Sequence, residues 1–246
     1  HADRTTIVIA TRDRVARLLD TLHHHAESAP ATPVIVVDNA SSDGTADAVH
    51  REFPHVRVLR SARNLGAVAR NIGASRAHTP YVAFSDDDSW WDADALPRAE
   101  AALDAYPGLG LIAARTLVGG DDLPDELVPV MAGSPLRSTR PLPGPPLLGF
   151  MACSAVLRRE AFLSVGGFSP LLFFVAEEKL LSYDLAAAGW SLAYMESVVA
   201  HHHPAGNRPD QRRRNAAERR NTALIAWMRR PTRVALSETT TLLRDC

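Results

Sequence analysis

Tyr81-Val82-Ala83-Phe84-Ser85-Asp86-Asp87-Asp88 is the stretch on which the fold turns. A short apolar run ends abruptly in three consecutive carboxylates. Such a run reads as a buried strand of an α/β sheet, and the C-terminal edge of that sheet is where ligands bind. Three adjacent acids repel one another unless a cation or ligand screens them. Oxygen-rich acidic sites suit Mg²⁺ or Mn²⁺, which bridge protein carboxylates to substrate phosphates. The stretch therefore reads as a metal–diphosphate site. A plainer reading stays open on these residues alone: an acidic turn capping a helix that begins near Asp92.

Outward from this strand, the first 115 residues alternate strand and helix signals. Thr5 to Ala10, Val34 to Val37, Val56 to Leu59 and Leu109 to Arg115 read as further strands. Between them lie helical patterns over Val15 to Glu27, Asp43 to Glu52, Gly66 to Ala77 and Asp94 to Ala105. Repeated βα units predict an α/β fold with a Rossmann-like, mostly parallel sheet and helices on both faces. After Arg115 the pattern breaks. Gly119 to Gly149 is rich in Pro, Gly and Asp and reads as a long surface loop or lid. Phe150 to Leu157 is strand-like, Glu177 to Ala188 helical and Trp190 to Tyr194 a strand. A basic helix from about Asp210 to Arg229 has Leu224, Ile225 and Trp227 as its apolar contacts. One domain over residues 1–246 is expected, with a nucleotide-binding half to residue 115 and an acceptor-side half beyond it.

The balance of 27 basic against 28 acidic residues gives no global charge for binding nucleic acid. No apolar run reaches the ~20 residues of a spanning helix. Two cysteines, Cys153 and Cys246, make neither a disulfide framework nor a metal knuckle. A reduced, cytoplasmic protein is the expectation.

Several residues could carry chemistry, each with a simpler alternative. Asp38 ends the second strand, where an acid can accept from a ribose or a base N–H, or merely cap the next helix. Arg63 and Arg70 flank Gly66 and could neutralise a diphosphate, or be surface arginines. Glu177 and Glu178 open a helix as dipole partners, or as a general base for an acceptor hydroxyl. Among His201, His202 and His203, a neutral imidazole could ligate a divalent metal. The run Arg212 to Arg214, with Arg219 and Arg220, could meet phosphates or an anionic membrane, or be a solvated face.

Taken in order, these segments resemble the family 2 glycosyltransferases of GT-A fold. The likeness rests on Ile7 to Arg14, on Val36-Val37-Asp38-Asn39 through Asp43-Gly44-Thr45, on Arg63-Asn64-Leu65-Gly66, and on Ala83 to Asp88. Arg158 to Phe162 followed by Val165-Gly166-Gly167-Phe168 resembles that family's acceptor-side segment. The resemblance implies a nucleoside-diphosphate sugar donor, UDP-linked by preference, held by Thr11, Arg12, Asp38, Asn39, Arg63, Arg70, Asp86 and Asp87. It implies a Mn²⁺ or Mg²⁺ ion held by Asp88, Asp86 and His201. It also implies inverting transfer to a glycan, lipid-linked or small-molecule acceptor. Glu178 would be the base, with Glu177 a live rival because the family usually carries Glu-Asp at this pair. The basic C-terminal helix permits peripheral contact at the inner face of a membrane.

Two other readings stay open. A sugar-phosphate nucleotidyltransferase would want a glycine-rich loop where this chain has Ala10-Thr11-Arg12-Asp13-Arg14. A non-catalytic homologue that only binds a glycan or sugar nucleotide would be consistent with the unusual Glu177-Glu178.

Overall fold

Alternate residues of the buried strands feed two different cores. In β1 (Thr5–Thr11), Val8 packs on one side of the sheet and Ile7 and Ile9 on the other. In β2 (Val34–Asp38) the split is Ile35 and Val37 against Val36, and in β4 (Tyr81–Ser85) it is Val82 and Phe84 against Tyr81 and Ala83. Side chains of a strand point alternately to its two faces, so a sheet covered on both sides needs continuous apolar runs. The computed structural model describes residues 4–204 and 211–244.

These strands and β3 (Arg57–Arg60) form a parallel block in the order β3-β2-β1-β4. The crossovers run through α1 (Val15–Ser28), α2 (Thr45–Glu52) and α3 (Ala69–Arg76). Gly73 lets α3 lie close on β1, since a Cβ there would sit 2.3 Å from Val8 Cγ1. The sheet then turns mixed. The four-residue strand β8 (Ala155–Arg158) inserts antiparallel between β4 and β6 (Leu109–Val118), with Phe84 facing Ala155 and Ile112 facing Val156. Beyond β6 lie β9 (Ser191–His202), parallel to it, and the short edge strand β5 (Ser89–Trp91), antiparallel to β9. Helix α4 (Ala95–Ala105) covers this side.

The segment over Gly119 to Gly149 lies mostly at the surface, as expected of a loop, but it is tied down at a few points. A two-residue strand β7 (Leu123–Pro124) pairs back onto β6, and α5 (Leu127–Ala132) follows it. Val128, Met131 and Leu147 join the core around Phe84. The i, i+3 spacing of Val128 and Met131 is a one-turn apolar face, too short to stand out among prolines. Phe150 to Leu157 is also shorter as a strand than expected, because a 3₁₀ turn at Ala152–Ser154 precedes β8.

Helix α6 (Arg159–Ser164) leads to the loop before α7 (Glu177–Ala187). Phe84, Phe162 and Phe168 stack edge-on or tilted beneath it, with ring centroids 5.2 to 5.7 Å apart. Helices α8 (Gln211–Arg229) and α9 (Thr232–Arg244) pack against this region, Ile225 meeting Leu172 and Leu180 in a third small core. Of the apolar contacts expected on the basic helix, Ile225 is buried, while Leu224 and Trp227 face outward. Asp210 and Cys246 lie outside the described residues. Among the described residues no helix is long and apolar enough to cross a membrane.

Candidate active site

The strand register brings Thr11, Asp38 and the Asp86–Asp88 row to one edge of the sheet, since Thr11 pairs with Asp38 and Ile9 with Ser85. The three acids then diverge in environment. Asp87 turns inward, accepts from Thr11 Oγ1 at 2.8 Å and pairs with Arg14. Thr21 of α1 donates to its carbonyl at 2.8 Å. Burial pushes its carboxyl up to about 7, with Asp86 and Asp88 adding to the rise and Arg14 opposing it. For Asp88 burial also works against the charge, but His202 and Arg14 overcome it and hold the carboxyl below its ordinary value. Arg14 thus forks across two neighbouring acids, with Nη2 3.0 Å from Asp88 Oδ2. Asp86 faces outward and pairs with Arg70.

Arg70 joins this row to the opposite wall. It is buried, and although burial disfavours its charge, Asp86, Glu177 and Glu178 together raise its pKa. Its guanidinium lies 5.9 Å from the centre of the Phe168 ring. Glu177 is 2 % exposed, and its Oε2 has no hydrogen-bond partner. Burial and the adjacent Glu178 push Glu177 up to about 8. Glu178 is half-buried and is also raised, by burial, against the opposing effects of its own backbone amide and the Arg70 charge. Two carboxyls crowded at one helix start cannot both ionise cheaply, and both are raised accordingly.

The histidines are sorted by strand alternation. In the β5–β9 pairing Ser89 faces His202 and Trp90 faces His201. His202 Nε2 therefore sits 3.4 Å from Asp88 Oδ1. His201, the expected metal-side imidazole, meets Asp122 at 2.9 Å and stacks on Trp90, against which His24 also stacks. The backbone amide of His203 donates to the Asp88 carbonyl at 2.8 Å. Potential ligand atoms of Asp86, Cys153 and His202 lie within 4.8 Å of one another. Carboxylate and imidazole donors at that spacing fit a divalent first-row ion, whereas burial and the nearby Asp86 push the Cys153 thiol well above its ordinary value and disfavour the thiolate.

Other expected site residues take different places. Asp38 is buried, accepts from the Ser41 amide at 2.8 Å and has Arg60 Nε 3.4 Å from its second oxygen. Asn39 holds the loop carrying Arg63 to Gly66: its side chain accepts from the Leu65 amide at 2.8 Å and donates to Asn64 at 2.9 Å. Its hydrogen bonds go to the protein. Arg12 is exposed, 3.3 Å from Asp13, and Arg63 is exposed on the loop beside the site. Arg14 is the functional candidate that sequence reasoning missed. It had a signal, standing three residues past the end of a strand beside an acidic row. Which of the three histidines meets Asp88 depends on register.

The model of the family described as glycosyl transferase family 2 matches residues 6–166, more than half of the chain. This chain belongs to that family. The family 2 glycosyltransferase is 29% identical over 243 residues to the N-acetylglucosaminyl-diphospho-decaprenol L-rhamnosyltransferase of Mycobacterium tuberculosis, covering 82% of this chain and 79% of that protein. A shorter match, 38% over 90 residues, covers 35% of the chain and 33% of the putative teichuronic acid biosynthesis glycosyltransferase TuaG of Bacillus subtilis. Among solved structures, S. aureus TarS superposes with a TM-score of 0.69 at 16% identity, over 91% of this chain and 39% of that one. The mannosyltransferase PcManGT from Pyrobaculum calidifontis, solved with GDP-Man and Mn²⁺, gives 0.67 at 19% identity, over 97% of this chain and 69% of its own. This structural likeness identifies the fold as GT-A.

Proposed function

We propose that this enzyme moves a sugar from a nucleoside-diphosphate donor, a UDP-sugar by preference, to an acceptor hydroxyl with inversion and with the help of Mn²⁺ or Mg²⁺. One observation carries the reading: buried Arg70 interacts with both Asp86 of the acidic row and the Glu177–Glu178 pair, so donor-side and acceptor-side acids share one cation. Thr11 and Asp38 line the nucleoside side of the edge. Asp88, Asp86 and His202 are the residues that would hold the ion. When bound, the ion supplies positive charge against the departing diphosphate.

Glu178 acts as the base. Glu177 beside it is closed off, whereas Glu178 as a residue keeps some exposure. Burial raises its proton affinity, which suits a group that must take a proton from a hydroxyl. Attack assisted from this wall meets the anomeric carbon on the face away from the diphosphate, and a single displacement inverts it. The named substrate of the Mycobacterium relative supports a lipid-linked diphospho-sugar as acceptor. Such an acceptor would bring the enzyme to a membrane surface, which the arginines of α8 suit.

The test is a thermal-shift panel of UDP, GDP, dTDP and CDP, each with and without Mn²⁺, on the wild type and Asp88→Ala. Ligand binding to the folded state raises the melting temperature by mass action. A metal-dependent shift with one nucleotide, lost in Asp88→Ala, supports the reading. A folded protein that shifts with none of the four refutes it.

A further inference from the structure

The loop that delivers Glu177 and Glu178 is bent against its own backbone preference. Phe173, Val175 and Ala176 all have positive φ, at 62°, 64° and 64°, and none is glycine. The Phe174 amide donates back to the Leu172 carbonyl at 2.8 Å, closing a three-residue turn around Phe173. Left-handed conformations at non-glycine residues persist only where the surroundings over-determine them.

The surroundings that do so come from a distant part of the chain. Asn221 of α8 is 0 % exposed. Its side-chain nitrogen lies 2.9 Å from the carbonyl oxygen of Leu172, 2.9 Å from that of Phe174 and 2.7 Å from that of Val175. Its oxygen accepts from the guanidinium of Arg220, at 3.0 and 2.8 Å, and Arg220 also donates to Leu172 at 3.2 Å. The remaining carbonyl, of Phe173, accepts from the Ala67 amide at 2.7 Å. Four consecutive carbonyls are thus held from outside the loop. Three of them converge on an amide group that has two hydrogens to give. Arg214 covers the Phe174 ring from the same helix, 5.4 Å from its centre.

From this geometry we infer that Asn221 is a positioning residue for the reaction: it holds the strained turn 172–176 so that the Glu177–Glu178 pair enters α7 facing Arg70. It touches neither donor nor acceptor. The inference rests on the proposed role of Glu178 and extends the working unit to α8, beyond the residues 6–166 matched by the family model. A leucine at 221 keeps the volume and removes both hydrogen donors, so the turn is free to relax toward ordinary φ values. Misplacing a reacting group by about 1 Å costs on the order of 100-fold in rate.

The experiment compares wild type, Asn221→Leu and Glu178→Gln. Turnover is read as nucleotide released from UDP-N-acetylglucosamine, GDP-mannose or dTDP-rhamnose with water as acceptor, and backbone amide exchange is followed by mass spectrometry. For Asn221→Leu we expect a kcat lower by on the order of 100-fold, an unchanged donor KM, and faster exchange confined to residues 173–178. A wild-type kcat, or unchanged exchange over 173–178, in a folded Asn221→Leu protein while Glu178→Gln is inactive overturns the inference and leaves the base intact. A fully active Glu178→Gln overturns the base assignment itself, and the positioning role with it. If Asn221→Leu does not fold, Asn221→Ser, which keeps one donor, is read by the same criteria.

Discussion

His25 should make this protein acid-sensitive by an amount that can be worked out in advance. It lies on the inner face of α1, 1 % exposed, with no hydrogen-bond partner at either ring nitrogen. Burial, helped by neighbouring His24, lowers its pKa from 6.5 to about 3. In the folded state it stays neutral down to that value, while the unfolded chain takes up a proton below 6.5. The stability it contributes is therefore complete above about pH 6.5 and is lost as pH falls toward 3. Each pH unit below 6.5 costs about 1.4 kcal/mol, so the loss at pH 5 is about 2 kcal/mol. Asp87 and Glu177 pull the other way: their raised values mean that the folded state binds protons more tightly, so acid favours it. The wild-type pH profile is thus a sum of opposing slopes, and only a difference isolates His25. Urea unfolding of wild type and His25→Leu at about pH 7.5 and about pH 5 provides that difference. The variant should lose about 2 kcal/mol less than wild type on acidification, equivalent to roughly 4–8 °C in melting temperature. Equal losses in the two proteins, with unchanged m values, would refute the buried neutral imidazole.

Three further outcomes follow from the site. Gly66 has φ +59 and a Cβ there would lie 2.1 Å from the Phe173 carbonyl oxygen, so Gly66→Ala should cost roughly 2–4 kcal/mol from strain plus displacement, read by urea unfolding. Arg70→Met leaves Asp86, Glu177 and Glu178 without their shared cation and should destabilise by roughly 3–5 kcal/mol at neutral pH, with much of the loss recovered on acidification as the carboxyls protonate. Glu178→Gln should reduce turnover by roughly 10²–10⁴-fold while the nucleotide shift in melting temperature is retained, because the change removes a proton acceptor and leaves the donor edge intact.

The parts of this molecule legible in the sequence are those set by short-range pattern. β1, β2 and β4 announce themselves because a sheet covered on both faces demands uninterrupted apolar runs, and the acidic row stands out because such a run ends in it. What escaped is set by long-range pairing. Nothing in Ala155-Val156-Leu157-Arg158 says that four residues will insert between β4 and β6 against the direction of both. Which of His201 and His202 faces Asp88 hangs on a one-residue register with β5. Asn221 sits in a basic helix whose charge draws attention away from a neutral side chain turned inward. Asn39 was legible as a site residue only by position, and the structure uses its hydrogen bonds to hold a neighbouring loop.

The place of β8 bears on how the protein is made. When a ribosome has released only the first 115 residues, β4 has β1 on one side and a bare row of amides and carbonyls on the other, because its second partner starts at Ala155. A bare edge of Tyr81-Val82-Ala83-Phe84 invites pairing with other chains. Until about forty more residues have been synthesised, at 5–20 residues per second, the nascent half must be shielded for a few seconds. A fragment ending at Arg115 should therefore precipitate where the longer chain stays dispersed.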